Sequence, residues 1–155
     1  MDKKRVLKGL KRIVGDRNVV HRPRELMIYE SDGLTMNRCP PDFVVSVRTV
    51  DEVAQVVRLA RREGVPYVAR GAGTGLSGGA LAAKGGIIIN LANMNRILEI
   101  DPENRLAVVE AGVTNLAISD AVAPHGFYYV PDPSSQVAAT IGGNVGENAG
   151  GAHCL

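Results

Sequence analysis

Apolar residues recur at Val6, Leu7, Leu10, Ile13 and Val14, set among Lys3, Lys4, Arg5, Lys8, Lys11 and Arg12. That spacing has the period of a helix, so the segment predicts an amphipathic helix with one apolar stripe. A polar, irregular stretch containing Tyr29, Asp32 and Gly33 follows, and Cys39-Pro40-Pro41 stops regular structure. The prolines set a boundary between a basic helical arm, residues 1–39, and a domain formed by residues 40–155.

Past the prolines the pattern changes. Phe43 to Val47 is a short β-branched run and predicts a buried strand. Thr49-Val-Asp-Glu52 is a capping box, and the helix it opens carries Val53, Val56, Val57 and Ala60 on one face with Arg58, Arg61 and Arg62 on the other. Gly64 ends that helix, and Val65 to Ala69 predicts the next strand. A strand, helix and strand in succession form a βαβ unit with parallel strands. Ile87 to Leu91 predicts a third buried strand, and shorter strands flank the Asp101-Pro-Glu-Asn104 turn, at Ile97 to Ile100 and Leu106 to Glu110. Thr114 caps a helix through Ala123 with Leu116, Ile118 and Val122 inward, after which Phe127 to Val130 predicts a returning strand. The fold class is α+β, with a βαβ first subdomain and a mixed second sheet.

Composition narrows the function. Net charge is +2, too small to argue for a nucleic-acid partner, although half of the 18 Lys and Arg lie in the first 24 residues. The basic helix reads as packed on the domain by its stripe; contact with an anionic membrane surface or an acidic partner subunit is the alternative. No apolar run approaches the roughly 18 residues of a membrane span, and the basic start lacks the features of a signal peptide. Cys39 and Cys154 make no disulfide framework, so a cytoplasmic location is expected. His153 beside Cys154 lacks further ligands at metal spacing, so no metal site is expected.

Ten of the 18 glycines gather in two places. The first is Arg70-Gly-Ala-Gly-Thr-Gly-Leu-Ser-Gly-Gly-Ala80. Gly73 to Gly78 satisfies the dinucleotide fingerprint, yet only Gly79 to Lys84 separate it from Gly85-Gly86 and the next strand. A crossover helix needs at least ~10 residues, which disfavours a nicotinamide-binding Rossmann unit. The loop also lacks the Lys-Ser/Thr of a Walker motif. What remains is a nest of consecutive N–H groups, with Thr74 and Ser77 adding hydroxyl donors, suited to a pyrophosphate. A tight connection without a ligand is the competing reading. The second cluster runs from Pro131-Asp-Pro-Ser-Ser135 through Ala139-Thr-Ile-Gly-Gly-Asn-Val-Gly-Glu-Asn-Ala-Gly-Gly151. Its glycines admit a flat ring against the backbone, and Asn144 and Asn148 can bond heteroatoms, as suits a flavin lying along the chain.

In these two segments the chain resembles the FAD-linked oxidases of the p-cresol methylhydroxylase and vanillyl-alcohol oxidase type. Within them it is most similar to the glycolate oxidase and D-lactate dehydrogenase group. The resemblance extends to Tyr29-Glu-Ser-Asp-Gly-Leu34 and Pro41-Asp-Phe-Val-Val45. It implies FAD held by Arg70, Gly71, Ala72, Gly73, Thr74, Gly75, Leu76, Ser77 and Gly79 at the pyrophosphate. Pro131, Ser134, Ser135, Gly142, Gly143, Asn144, Asn148 and Gly150 are implied at the flavin and ribityl groups. Some relatives attach flavin through a His in or near the first loop; this loop has none, which implies non-covalent FAD. The implied chemistry is oxidation of a small 2-hydroxy acid, glycolate or D-lactate, with electrons passed to a partner subunit or another carrier. Another alcohol, or a non-catalytic flavin- or partner-binding module, remains open. Family members continue past this point, so the chain is expected to be the front part of such an enzyme, inactive alone, with its catalytic residues elsewhere. His21, His125 and His153 are poor candidate bases by position.

Overall fold

The computed structural model describes residues 1–154. Helix α1 (Lys3–Val14) is started by Asp2, whose Oδ1 accepts from the Lys4 and Arg5 N–H groups at 3.0 and 3.1 Å. Its stripe of Val6, Leu10 and Val14 is buried. α1 packs on α3 (Val50–Arg62), and Gly9 lets the helices close in, since a Cβ there would lie 2.9 Å from Leu59 Cδ2. A two-residue strand β1 (Val19–Val20) and a single helical turn α2 (Pro23–Leu26) lead toward β2 (Phe43–Ser46).

The main sheet has the order β1-β2-β4-β3, where β3 is Tyr67–Arg70 and β4 is Ile87–Asn90. β2, β4 and β3 run parallel, while β1 is antiparallel to β2. Strands β2 and β3 are therefore parallel as expected, but they do not touch; β4 lies between them. Burial explains the placement. Ile87, Ile88 and Ile89 are all buried, as a strand covered on both faces requires, whereas Tyr67 and Ala69 are exposed on the edge strand. One face carries Phe43, Val45, Ile87 and Ile89 against α1 and α3; the other packs Val44 and Ile88 on Leu26 and Ala82.

The helix signals are realised with small adjustments. Thr49 accepts from Glu52 N–H at 3.1 Å, but the Glu52 carboxylate takes the Arg48 N–H at 2.7 Å, one residue earlier than a standard box. At the foot of β4, Gly86 has φ +86° and a Cβ there would strike the Pro66 carbonyl, so only glycine makes this entry. Its N–H donates to Asp42 Oδ2 at 2.7 Å, and Lys3 Nζ reaches Asp42 Oδ1 at 2.6 Å, tying α1 to the sheet. Burial pushes the Asp42 carboxyl up, but the Lys3 and Gly86 bonds and the Lys3 charge outweigh it and hold the group below its usual value.

A second, two-stranded antiparallel sheet pairs β5 (Ile97–Asp101) with β6 (Leu106–Val109). Among the described residues the mixed sheet is thus the first one. Helix α4 (Asn115–Val122) is capped by Thr114, and of its three expected inward residues Ile118 is buried, Val122 half-buried and Leu116 exposed. Asn115 takes the inward place that periodicity assigned to its neighbour. Phe127 to Val130 does not form a strand; it follows the left-handed Gly126 as an irregular segment, with the Tyr129 N–H taken by Ser119 Oγ at 3.1 Å. Its β-propensity found no edge to pair with. Finally, α5 (Ile141–Glu147) closes the fold. Among the described residues, no helix is long and apolar enough to cross a membrane.

The α1 stripe should contribute measurable stability. Leu10 is fully buried, so Leu10→Ala is expected to cost about 2–5 kcal/mol, while the exposed Lys8→Ala stays within roughly 0.5 kcal/mol of the parent. Urea unfolding midpoints of the two variants test this; equal midpoints would mean that α1 does not stabilise the fold.

Candidate functional site

The first glycine segment leaves the carboxyl end of β3, where ligands gather in parallel sheets. The ladder ends with the Leu91 N–H donating to Arg70 O at 2.9 Å. From Gly71 to Ser77, none of the seven N–H groups donates to an acceptor among the described residues; the next one, Gly78 N–H, donates to Asp32 Oδ2 at 2.9 Å. A run of free donors on a turning backbone is an anion cradle that needs no helix. The loop's carbonyl side is occupied, since Gly33 N–H donates to Gly75 O at 3.0 Å.

Arg70 shapes the loop from beneath. Its side chain is buried, Nη2 donates to Ser31 O at 2.9 Å, and the guanidinium lies 5.7 Å from the Tyr29 ring centre. Burial lowers its pKa from the usual value, with the Asp32 and Tyr29 charges opposing. Gly73 sits directly on this guanidinium: a Cβ there would overlap it, and φ is +73°. Gly71 is similarly closed by the Thr140 hydroxyl.

The second segment lies opposite. Asn115 Nδ2 donates to Pro131 O at 2.9 Å, and turns at Pro133 and Ser135 bring the chain to Thr140. Thr140 caps α5, accepting from Gly143 N–H at 3.4 Å. The stretch from Ile141, read in the sequence as a bed for a flat ring, is helical for its first seven residues. Glycine disfavours helix, but tertiary bonds override that tendency here. Ile141 N–H reaches Val113 O at 2.8 Å and Gly142 N–H reaches Ala111 O at 2.9 Å; a Cβ on Gly142 would lie 2.8 Å from that same carbonyl. Asn148 ends the helix in the left-handed region, at φ +53°. Asn144 is buried and faces the Tyr129 phenol, whose pKa is raised by burial and partly restored by that amide.

The two segments line one cleft of about 490 Å³. It brings together Arg70, Gly71, Ala72, Gly73, Thr74, Gly75, Leu76 and Gly79 from the first, and Ser134, Ser135, Gly142, Gly143 and Asn144 from the second. Ser77, Pro131, Asn148 and Gly150 are not on its wall. Sequence reasoning missed Pro133, Thr140 and Glu147, which line it, and the bracing residues Ser31, Asp32 and Gly33. Thr140 had a legible signal, a threonine three residues before a possible N3 position; the Asp32 bond spans 46 residues and had none. His153 lies elsewhere, bonded through its N–H and ring to Asp132, and those two bonds hold the Asp132 carboxyl below its usual range.

A sheet-end loop of free N–H groups facing a glycine-rich helix across one cleft is the architecture of a nucleotide-cofactor protein that binds phosphate without a crossover helix. The chain belongs to the FAD binding domain family, whose model matches residues 41–155. It is 49% identical over its full length to the glycolate oxidase subunit GlcD of Escherichia coli K12, of which it covers 31%. It is 40% identical to a D-lactate dehydrogenase of Anaerostipes hadrus over 72% of the chain and 23% of that protein. The fold superposes on p-cresol methylhydroxylase with a TM-score of 0.78 at 25% identity, over 92% of this chain and 28% of that one. The chain thus spans about a third or less of the proteins it resembles. The cofactor of the family is FAD, and the residues present fit it: the free N–H run can take a pyrophosphate, and Arg70, whose Nη1 is buried without a partner, lies against Gly73 on the same cleft wall.

Because the loop is held from behind by Asp32, Asp32→Ala should weaken FAD binding by at least about tenfold, as expected for loss of a charge-assisted bond of roughly 1.5–3 kcal/mol. Asp120→Asn, exposed on α4, should leave it unchanged. Flavin-fluorescence titration of both variants is the measurement, and equal affinities would show that the brace does not shape the cradle.

Proposed function

We propose that this chain is the FAD-binding portion of a flavoenzyme that oxidises a small 2-hydroxy acid, glycolate or D-lactate, to the 2-oxo acid. The observation that carries the reading is the run of seven unengaged N–H groups at the end of β3, opposite α5 in one cleft. The residues proposed to hold FAD are those of the two segments that share the cleft wall. The Gly71–Ser77 N–H groups take the pyrophosphate, with Thr74 Oγ1 beside them. Ser134, Ser135 and the Gly142–Asn144 turn of α5 accommodate the ribityl chain and the ring. With no His in the first loop, the attachment is non-covalent.

Bound FAD supplies the two-electron acceptor for the CH–OH group. The chain's own contribution is to hold and orient the cofactor and to keep water from one side of it. Among the described residues the cleft wall carries no His, and its one cation, Arg70, is buried and bonded to Ser31 O through Nη2. The base and the substrate-carboxylate clamp therefore belong to other parts of the functional enzyme. The substrate class rests on the names of the relatives, glycolate oxidase subunit and D-lactate dehydrogenase, and the word subunit supports a partner subunit, to which the proposal assigns the electrons.

The purified chain is expected to bind FAD in preference to NAD and ATP, because the loop lacks both the crossover helix and the Walker lysine. Calorimetric titration with each nucleotide measures it, and tight NAD binding without FAD binding would sink the proposal.

A further inference from the structure

The cleft holds one charged group that cofactor binding, as proposed above, leaves unused. Glu147, the last residue of α5, lays its carboxylate against the glycine loop: a Cβ on Gly75 would meet it, and one on Gly79 would lie 2.8 Å from its Oε1. Among the described residues it has no ion-pair partner. Among the described residues the only other charge on the cleft wall is Arg70, whose Nη2 is bonded to Ser31 O, whose Nη1 is buried without a partner, and whose charge faces Asp32. The loop thus meets one charge of each sign, Arg70 against Gly73 and the Glu147 carboxylate against Gly75, and Arg70 is already offset by Asp32.

We propose that Glu147 sets the charge selectivity of this loop, favouring a pyrophosphate bridge esterified at both ends over a terminal phosphate. The proposal rests on the loop being the FAD pyrophosphate site. Each phosphorus of a dinucleotide bridge carries one negative charge, whereas a terminal phosphate approaches two at pH 7, its second pKa being about 6. Every added charge within a few ångströms of Glu147 raises the Coulomb cost in a partly screened cleft, by an amount on the order of tenfold in affinity. The donors take the oxygens of either ligand; the carboxylate penalises the more highly charged one. Free mononucleotides are thereby disfavoured without any steric gate.

The test is competition against FAD at pH 7.5 and low salt, using ADP-ribose, a bridge substituted at both ends, and ADP, which ends in a phosphate. The parent chain should bind ADP-ribose about tenfold more tightly than ADP. Glu147→Gln, isosteric and on an exposed residue, should tighten ADP by about tenfold and ADP-ribose by clearly less. Glu103→Gln, exposed in the β5–β6 turn, removes the same net charge elsewhere and should change neither. An unchanged or weakened ADP affinity in Glu147→Gln, an equal gain for both ligands, or failure of ADP-ribose to displace FAD would overturn the proposal. If the parent chain binds no FAD, the cofactor reading fails as well. If FAD binds and the selectivity ratio is unmoved, only the role of Glu147 is lost.

Discussion

The site depends on the bonding between the Ser31–Leu34 segment and the underside of the glycine loop. Arg70 reaches Ser31 O, Gly33 N–H reaches Gly75 O, and Asp32 takes the N–H groups of Leu34 and Gly78. A glycine-rich loop has many accessible conformations, and ordering it costs more entropy than ordering most other sequences. Here much of that cost is met by bonds from the Ser31–Leu34 segment, none of which uses the N–H groups of Gly71 to Ser77. Gly33 belongs to the same arrangement, since a Cβ there would lie 2.6 Å from Thr74 O. Bonds that hold the loop in its binding shape reduce the ordering energy that binding must supply.

The other wall follows the same logic with different parts. α5 is a poor helix by composition, and its geometry comes from Thr140 and from the carbonyls of Ala111 and Val113, which accept its first N–H groups. Those two residues flank Gly112, which is so close to the Leu91–Met94 turn that a Cβ would lie 2.8 Å from Met94 O. The end of β4, the start of α4 and the start of α5 are therefore pinned at one point. Packing of backbone on backbone at Gly112 and Gly142 fixes the position of α5, and the Thr140 and Glu147 side chains meet the glycine loop across the cleft.

Much of this was legible in the sequence, for identifiable reasons. α1, α3 and α4 announce themselves through periodicity and caps, and the isoleucine run of β4 reads as a strand. The absence of room for a crossover helix after Gly79 separated this loop from a Rossmann turn by arithmetic alone. Three things were not legible. Tyr67 to Arg70 and Phe43 to Ser46 have no local mark saying that a third strand will part them. The helicity of Ile141–Glu147 is imposed from outside by Ala111 and Val113. Asp32 and Gly78 are brought together only by the complete fold. In each case the deciding contact is remote in sequence, and local propensity carries no trace of it.

The strand order has a consequence for how the chain is made. β2 and β3 leave the ribosome before β4 and lie parallel, yet neither can bond the other, because the position between them belongs to β4. Until Asn90 has emerged, two strands present unpaired edges with nothing to join them. The glycine loop, lying between β3 and β4 in sequence, must already be outside when the sheet zips shut. The parallel part of the sheet is thus complete only once the isoleucine strand is in place. Synthesis that stalls inside Gly71–Gly86 leaves a nascent chain with an open slot at the centre of its sheet, a target for chaperones or for a neighbouring strand from another chain.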